Sequence, residues 1–291
     1  MTERLADLSQ RIEGIRQLGA VVNAMRGIAA ARARQARSQL AAVDLYARTI
    51  AAAIARVPAP IPVAGASPSR TALVLFCAEQ GFAGAFSEHV LDAIGADLGH
   101  AELFLIGTRG RSVAAERGIA AFWTSAMPSH SQGVPLLGDR IAEALYARIA
   151  AGAIGRIDAV FSHWQPGHGV RVERKRLFPL DPADFPGSER ADPPLLDLTP
   201  EALLLELASD YLHAELCKTA LHAFAAENEA RMEAMAAARG QIERQLSELQ
   251  ARSRQVRQEE ITAEIIELAA GETASRAGQA EPGSPGDRGI P

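Results

Sequence analysis

Both ends of this chain carry the three–four spacing of apolar residues that marks long helices, and the middle does not. Leu5, Leu8, Ile12, Ile15, Leu18, Val22, Met25 and Ala29 fall on one stripe, which continues through Leu40, Val43 and Ile50. Toward the other end, Met232, Met235, Ile242, Leu246, Leu249 and Val256 occupy a and d positions of a heptad, with the polar Arg239 and Ser253 on the same seam. Helices over residues 1–56 and 199–274 would be about 80 Å and 100 Å long at ~1.5 Å per residue. Neither fits inside a compact domain. Two such helices bracketing a chain can meet as an antiparallel pair, with the middle as a separate body.

The stripe carries its own qualifications. Ala29, Ala30, Ala31, Ala33 and Ala36 narrow it and permit a close approach of a second helix. Gly14, Gly19 and Gly27 weaken a helix, a cost that a partner packed along this face must offset. Pro58, Pro60 and Pro62 end the helix, and residues 57–70 read as a linker. Thr199-Pro200-Glu201 supplies an N-cap, a proline at the first helical turn and an early acid for the second long helix. Residues 181–198 form a second linker, and 275–291 a Gly/Pro-rich tail with the composition of disorder.

Between the linkers, residues 71–180 alternate short apolar runs with helix-like stretches. Strands are expected at Thr71–Cys77, Glu102–Ile106, Ala120–Thr124, Ile157–Phe161 and Val170–Leu177. Helices are expected at Phe86–Leu98, Arg109–Arg117 and Leu137–Ala151. This alternation predicts an α/β fold, a mostly parallel sheet covered by helices in a Rossmann-like central domain.

Composition excludes several functions. A net charge of −5 argues against a general nucleic-acid binder; that only Lys175 and Lys218 are lysines, the other basic residues being arginines, reads as a coding-composition bias. Cys77 and Cys217 are far apart and read as free thiols. No signal peptide or membrane-spanning run is visible. Gly81-Phe-Ala-Gly84 sits where phosphate loops sit, yet it lacks both GxGxxG and GK[ST], so a tight strand-to-helix turn explains it. His163, His168, His213 and His222 lack ligand partners at metal spacing. Ser87, His89 and Asp92 are too close in sequence for a triad assembled from distant segments. The run Arg171–Arg176 reads as a solvated strand edge. No cofactor or catalytic set is expected. From Gly14 to Val43 there are five arginines and no acid, a one-sided helix that invites an acidic partner.

Several segments together resemble the gamma subunit of F-type ATP synthases. Arg257-Gln258 followed by Ile261-Thr262-x-Glu264-x-x-Glu267-x-x-x-Gly271 is similar to that family's C-terminal signature. Glu227 with Arg231-Met232-x-Ala234-Met235 resembles its RM-x-AM stretch, and Asn23–Arg32 its AMK-x-VAAAK helix. Glu79–Gly84 and Ile106–Arg111 resemble its SDRGLCGG turn and IGRKGR segment. The resemblance covers residues 1 to about 274 in order. The departures are Glu272 after the signature glycine, Ser253-Arg254 in place of Tyr-Asn, the altered middle turn and the tail. They point to a divergent branch, such as one encoded in an alternative ATP synthase operon.

The resemblance implies a central-stalk rotor without a catalytic site of its own. Its terminal helices would form an antiparallel coiled coil within the hexamer of alpha and beta subunits. Its body would meet the epsilon subunit and the membrane c-ring, at the cytoplasmic face of a bacterial inner membrane. By matching positions, Arg26, Arg32, Arg34, Arg257, Gln258, Ile261, Thr262 and Glu264 would contact those partners. Read from periodicity alone, two alternatives stay open: a coiled-coil adaptor, and an α/β enzyme with helical oligomerisation arms and a pocket at the strand carboxyl ends.

Overall fold

The computed structural model describes residues 2–58, 70–165, 167–185 and 195–278. Most of the first expected linker, half of the second, and the tail from residue 279 lie outside them. Helix α1 covers Thr2–Ile54 and helix α5 covers Pro200–Gly278, so α5 runs through residues 275–278, which the composition assigns to the tail. The elements between are β1 (Arg70–Phe76), α2 (Phe86–Asp92), β2 (Ala101–Ile106), α3 (Thr108–Glu116), β3 (Trp123–Ser125), α4 (Val134–Ala150), β4 (Ile154–Gln165) and β5 (Gly169–Phe178). The chain divides into two compact units, Met1–Asn23 with Ala238–Pro291, and Ala24–Ala237, and both long helices contribute to each.

The larger unit is built on a five-stranded sheet of order β3-β2-β1-β4-β5. β1 pairs in parallel with β2 and β4, β2 in parallel with β3, and β5 closes the sheet antiparallel to β4. The apolar runs are continuous because both faces are covered. Ala72, Val74 and Phe76 of β1 face α4 and α5, while Leu73, Leu75 and Cys77 face α2 and α3. The expected strands and helices are present with shifted ends. β3 is short and starts at Trp123, and α2 stops at Asp92, followed by a separate 3-10 turn at Gly95–Asp97. β4 and β5 reach beyond their apolar runs because each completes the other's hydrogen bonds as a hairpin.

Within this unit α1 and α5 run antiparallel. Arg37 pairs with Glu229, Lys218 Nζ lies 2.5 Å from Asp44 Oδ1, and Ala47, Ile50 and Ile54 pack in one cluster with Leu204 and Ala214. Ala29, Ala33 and Ala36 are buried, as their small size requires where helix backbones come close. From Leu212 to Arg231 α5 is buried on almost every side, between the sheet, α4 and α1.

In the smaller unit the same helices pair again. Leu8, Ile12, Val22 and Ile242 are buried, and a Cβ on Gly19 would sit 3.4 Å from Ile242 Cγ2. One groove is lined by Arg4, Asp7 and Arg11 with Arg252 and Glu259, and another by Arg16 and Asn23 with Arg239 and Leu246, so this segment is antiparallel too. The seam of α1 follows a strict heptad, with positions 5, 12, 19, 26, 33, 40, 47 and 54 alternating with 8, 15, 22, 29, 36, 43 and 50, all of them buried or half-buried. This corrects the sequence reading at two points. Leu18 is 52% exposed, because the seam passes through Gly19. Gly14 and Gly27 face open space, so only Gly19 is explained by a packed neighbour.

Two glycines at the carboxyl end of the sheet are dictated by contact. A Cβ on Gly110 would lie 2.1 Å from Cys77 Cβ, and one on Gly107, whose φ is +111°, would lie 2.6 Å from the Cys77 carbonyl oxygen. Gly110→Ala is expected to cost about 2–3 kcal/mol by overpacking. Gly14→Ala, in an open helix position, should gain about 0.5–1 kcal/mol. Urea unfolding of the two variants checks both signs.

Candidate interaction surfaces and a buried clamp

The carboxyl end of β1 is where open α/β sheets hold anionic ligands. Here the chain fills that place itself. The Glu227 carboxylate, from α5, accepts from the backbone N–H of Glu79 (3.1 Å) and of Gln80 (3.2 Å). Arg231, one turn later, pairs with Glu227 and donates to the carbonyls of Gly81 (3.2 Å) and Gln80 (3.3 Å) and to Asn228 Oδ1 (3.1 Å). Glu227 is 3% exposed and Arg231 5%, so both charges depend on these partners.

The Glu79 side chain extends the network. Its Oε2 accepts from the backbone N–H of Thr108 (2.9 Å) and Met127 (2.8 Å), and its Oε1 from the Thr108 hydroxyl (2.7 Å). A carboxylate at Thr108 N–H satisfies an orphan donor in the first turn of α3 and faces the positive end of its dipole. The turn after β1 is thus tied to α5, α3 and the segment after β3 together. Phe82, in this turn, has φ +62° and a 67% exposed ring, so packing within the chain does not repay its left-handed backbone.

The phosphate-loop reading of Gly81–Gly84 loses its physical basis here. The amides of Glu79 and Gln80, just ahead of these glycines, already serve Glu227. Among the described residues, no group of three or more His, Cys, Asp or Glu side chains is arranged to hold a metal ion. Burial pushes both thiols up to about 12, which keeps Cys77 and Cys217 protonated and unreactive. Ser87 is likewise structural, its Oγ accepting from the Ala78 N–H at 3.1 Å, while Asp92 pairs with Arg117.

The arginine run on β5 is an edge, as expected, but two of its members turn inward. Arg174 and Arg156 both hold the fully buried Asp158, each with a contact of 2.8 Å, and Lys175 Nζ lies 2.6 Å from the buried Glu215 of α5. These buried acids, with Glu227 and Glu229, were not singled out as structural by the sequence reading. The available signal was the cluster Glu227, Asn228, Glu229 and Arg231 directly after the apolar, alanine-rich stretch Ala223–Ala226.

The residues expected to meet partners fall into two groups, one in each unit. In the larger unit, Arg26 is half-buried at a seam position of α1, Arg32 is half-buried beside the seam, and Arg34 is exposed. In the smaller unit Arg257, Gln258, Ile261, Thr262 and Glu264 are all exposed on α5. The Thr262 hydroxyl donates to the Gln258 carbonyl at 2.8 Å, which leaves its methyl as the outward contact. This part of α5 also carries an apolar surface: Ile261, Ile265, Ile266 and Leu268 are 51%, 60%, 64% and 72% exposed.

A profile of the ATP synthase family matches residues 4–274. The chain belongs to the ATP synthase gamma family. It is 25% identical over 288 residues to the ATP synthase gamma chain of Chlorobium luteolum, covering 93% of this chain and 98% of that one. It is 28% identical over 290 residues to that of Beutenbergia cavernae, covering 92% and 97%. The fold resembles a chain of the Euglena gracilis mitochondrial ATP synthase, solved as OSCP/F1/c-ring in rotational state 3, with TM-score 0.67, 12% identity and 99% of this chain covered against 100% of that one. It also resembles a chain of the central stalk/c-ring of the Tetrahymena thermophila mitochondrial enzyme, with TM-score 0.53, 16% identity and coverages of 75% and 99%. The family's RM-x-AM stretch and middle turn are therefore the two halves of one clamp in this chain.

Arg231→Ala would leave the Glu227 charge buried and unpaired, and is expected to cost about 3–5 kcal/mol. The double variant Glu227→Ala/Arg231→Ala should cost clearly less than the sum of the two single variants, since each single change orphans the other group. A double-mutant cycle in urea measures the difference.

Proposed function

We infer that the chain is the central-stalk, gamma-type subunit of an F-type ATP synthase. It is a shaft without a catalytic site of its own, turning within a hexamer of alpha and beta subunits and coupling transmembrane ion flow to ATP synthesis or hydrolysis. The observation that carries the reading is the exposed segment Arg257–Leu268. It bears the family signature, and it presents side chains that the helix pair itself does not use.

A non-catalytic subunit changes a catalytic equilibrium only by contacting one conformer of its neighbour better than another. That requires a surface that differs around its circumference. Exposed Arg257, Gln258 and Glu264 beside exposed Ile261 and Ile265 provide such a surface on one helix. Arg34 and, in part, Arg32 offer positive charge to acidic neighbours. Arg26, at a seam position, contributes through the part of its side chain that stays exposed.

The body would meet the epsilon subunit and the c-ring, placing the chain peripherally at the cytoplasmic face of a bacterial inner membrane. The similar solved chains come from assemblies described as OSCP/F1/c-ring and as central stalk/c-ring, which supports these partners. Among the described residues no helix is long and apolar enough to cross a membrane. The enzyme alternative is disfavoured because the strand ends that would bear its pocket are occupied by Glu227 and Arg231.

Replacing Arg257 and Gln258 together with alanine should leave folding stability within about 0.5 kcal/mol, since both are exposed. It should lower ATP-driven ion pumping and ATP synthesis severalfold in reconstituted complexes. Normal pumping by the double variant would remove these residues from the coupling surface. A stable, active hexamer complex isolated from the native source without this chain would refute the role itself.

A further inference from the structure

One polar cluster in the body lies apart from both the clamp and the exposed C-terminal segment. His222 of α5 and His163 of β4 both lie against Phe161, with ring centroids 5.8 Å and 6.4 Å from it, and stand edge to face 6.4 Å from each other. Three charged groups, Lys218, Asp44 and Glu173, act on His222. Lys218 lies one turn before His222 on α5, and Asp44 of α1 pairs with Lys218 at 2.5 Å. Glu173 of β5 places Oε2 3.2 Å from His163 Nδ1, close enough for an ion pair but not aligned as a hydrogen bond. Arg37 of α1 covers the neighbouring Trp164 ring at 5.5 Å from its centroid.

The anions available are too few for a doubly protonated pair. Asp44 is already engaged by Lys218 and Arg48. That leaves Glu173 alone for two imidazoles, and Glu173 faces His163. We propose that His163 and His222 form a proton-sensitive joint between α5 and the β4–β5 hairpin, closed while His222 is neutral and loosened in acid. Burial, then Lys218 and His163, push the His222 pKa below its ordinary value, with Glu173 and Asp44 opposing.

The sign follows from linkage. An opened joint exposes His222 at its ordinary pKa of about 6.5, so the open form binds more protons than the closed one in acid. Closure is fully favoured above that value and is lost as pH falls below it. Between pH 7.5 and 5.5 the open fraction should rise by up to about tenfold, the change in binding weight of an ordinary imidazole over that range.

Hydrogen exchange on the full-length chain, corrected for intrinsic rates, tests this without any partner. Residues 157–173 and 215–226 should lose up to about tenfold protection on acidification, beyond any change in β1 and β2. His222→Gln should abolish that excess loss, and His163→Gln should retain most of it. Equal acid loss in His222→Gln overturns the proposal, as does abolition by His163→Gln alone. If His222→Gln does not fold, a proton titration of the labelled histidines in the unmodified chain decides. A His222 midpoint below about 6.5 supports the joint, and one at or above it overturns it.

Discussion

The carboxylate of Glu227 stands at the centre of this structure. It is buried, it is charged, and it takes the two backbone donors that the end of β1 would otherwise present to solvent or to a ligand. A charge in that position is tolerable only if it is paired and hydrogen-bonded, and Arg231 together with two main-chain amides provides this. The turn it holds carries Glu79, whose carboxylate then reaches α3 and the segment after β3. Removing this one group would leave the amides of Glu79 and Gln80 without their acceptor and the buried Arg231 guanidinium without its counter-charge.

The same economy explains why α5 is so unlike a surface helix between Leu212 and Arg231. Covered by the sheet, α4 and α1, it has no solvated face on which to place polar residues. Its buried charged and amide side chains are matched instead: Glu215 with Lys175, Glu229 with Arg37, and Asn228 with the Phe224 carbonyl and Arg231. These pairs contribute specificity of register more than raw stability. They fix which turn of α5 meets which strand. Beyond Ile242 the helix returns to an ordinary two-sided pattern, and from Ile261 to Glu272 nearly every side chain is exposed.

Much of the architecture was legible in the order of residues. Heptad spacing announced the long helices, and apolar runs separated by helix-like stretches announced the sheet, because both signals arise from local geometry repeated along the chain. The alanine stripe and the close approach it permits were readable for the same reason. Leu18, by contrast, fits a three–four pattern yet lies off the seam, since Gly19 competes for the same phase and only the partner Ile242 selects between them. The exposed signature from Arg257 to Glu264 was readable as a motif, but its exposure depends on what packs nearby.

The clamp was not legible as a unit. Glu79 and Glu227 are far apart in the chain, and no local pattern says that one carboxylate will cap the backbone amides beside the other. The residue types and their spacing determine helices, strands and the turn that joins β1 to α2, because each rests on interactions within a few residues. Which buried charge meets which backbone group, and therefore why the ligand place of an α/β sheet is closed here, was decided only when the tertiary fold brought α5 across the ends of the strands. Burial is a property of three-dimensional neighbours, and it is burial that turns an ordinary glutamate and arginine into the fastening of the fold.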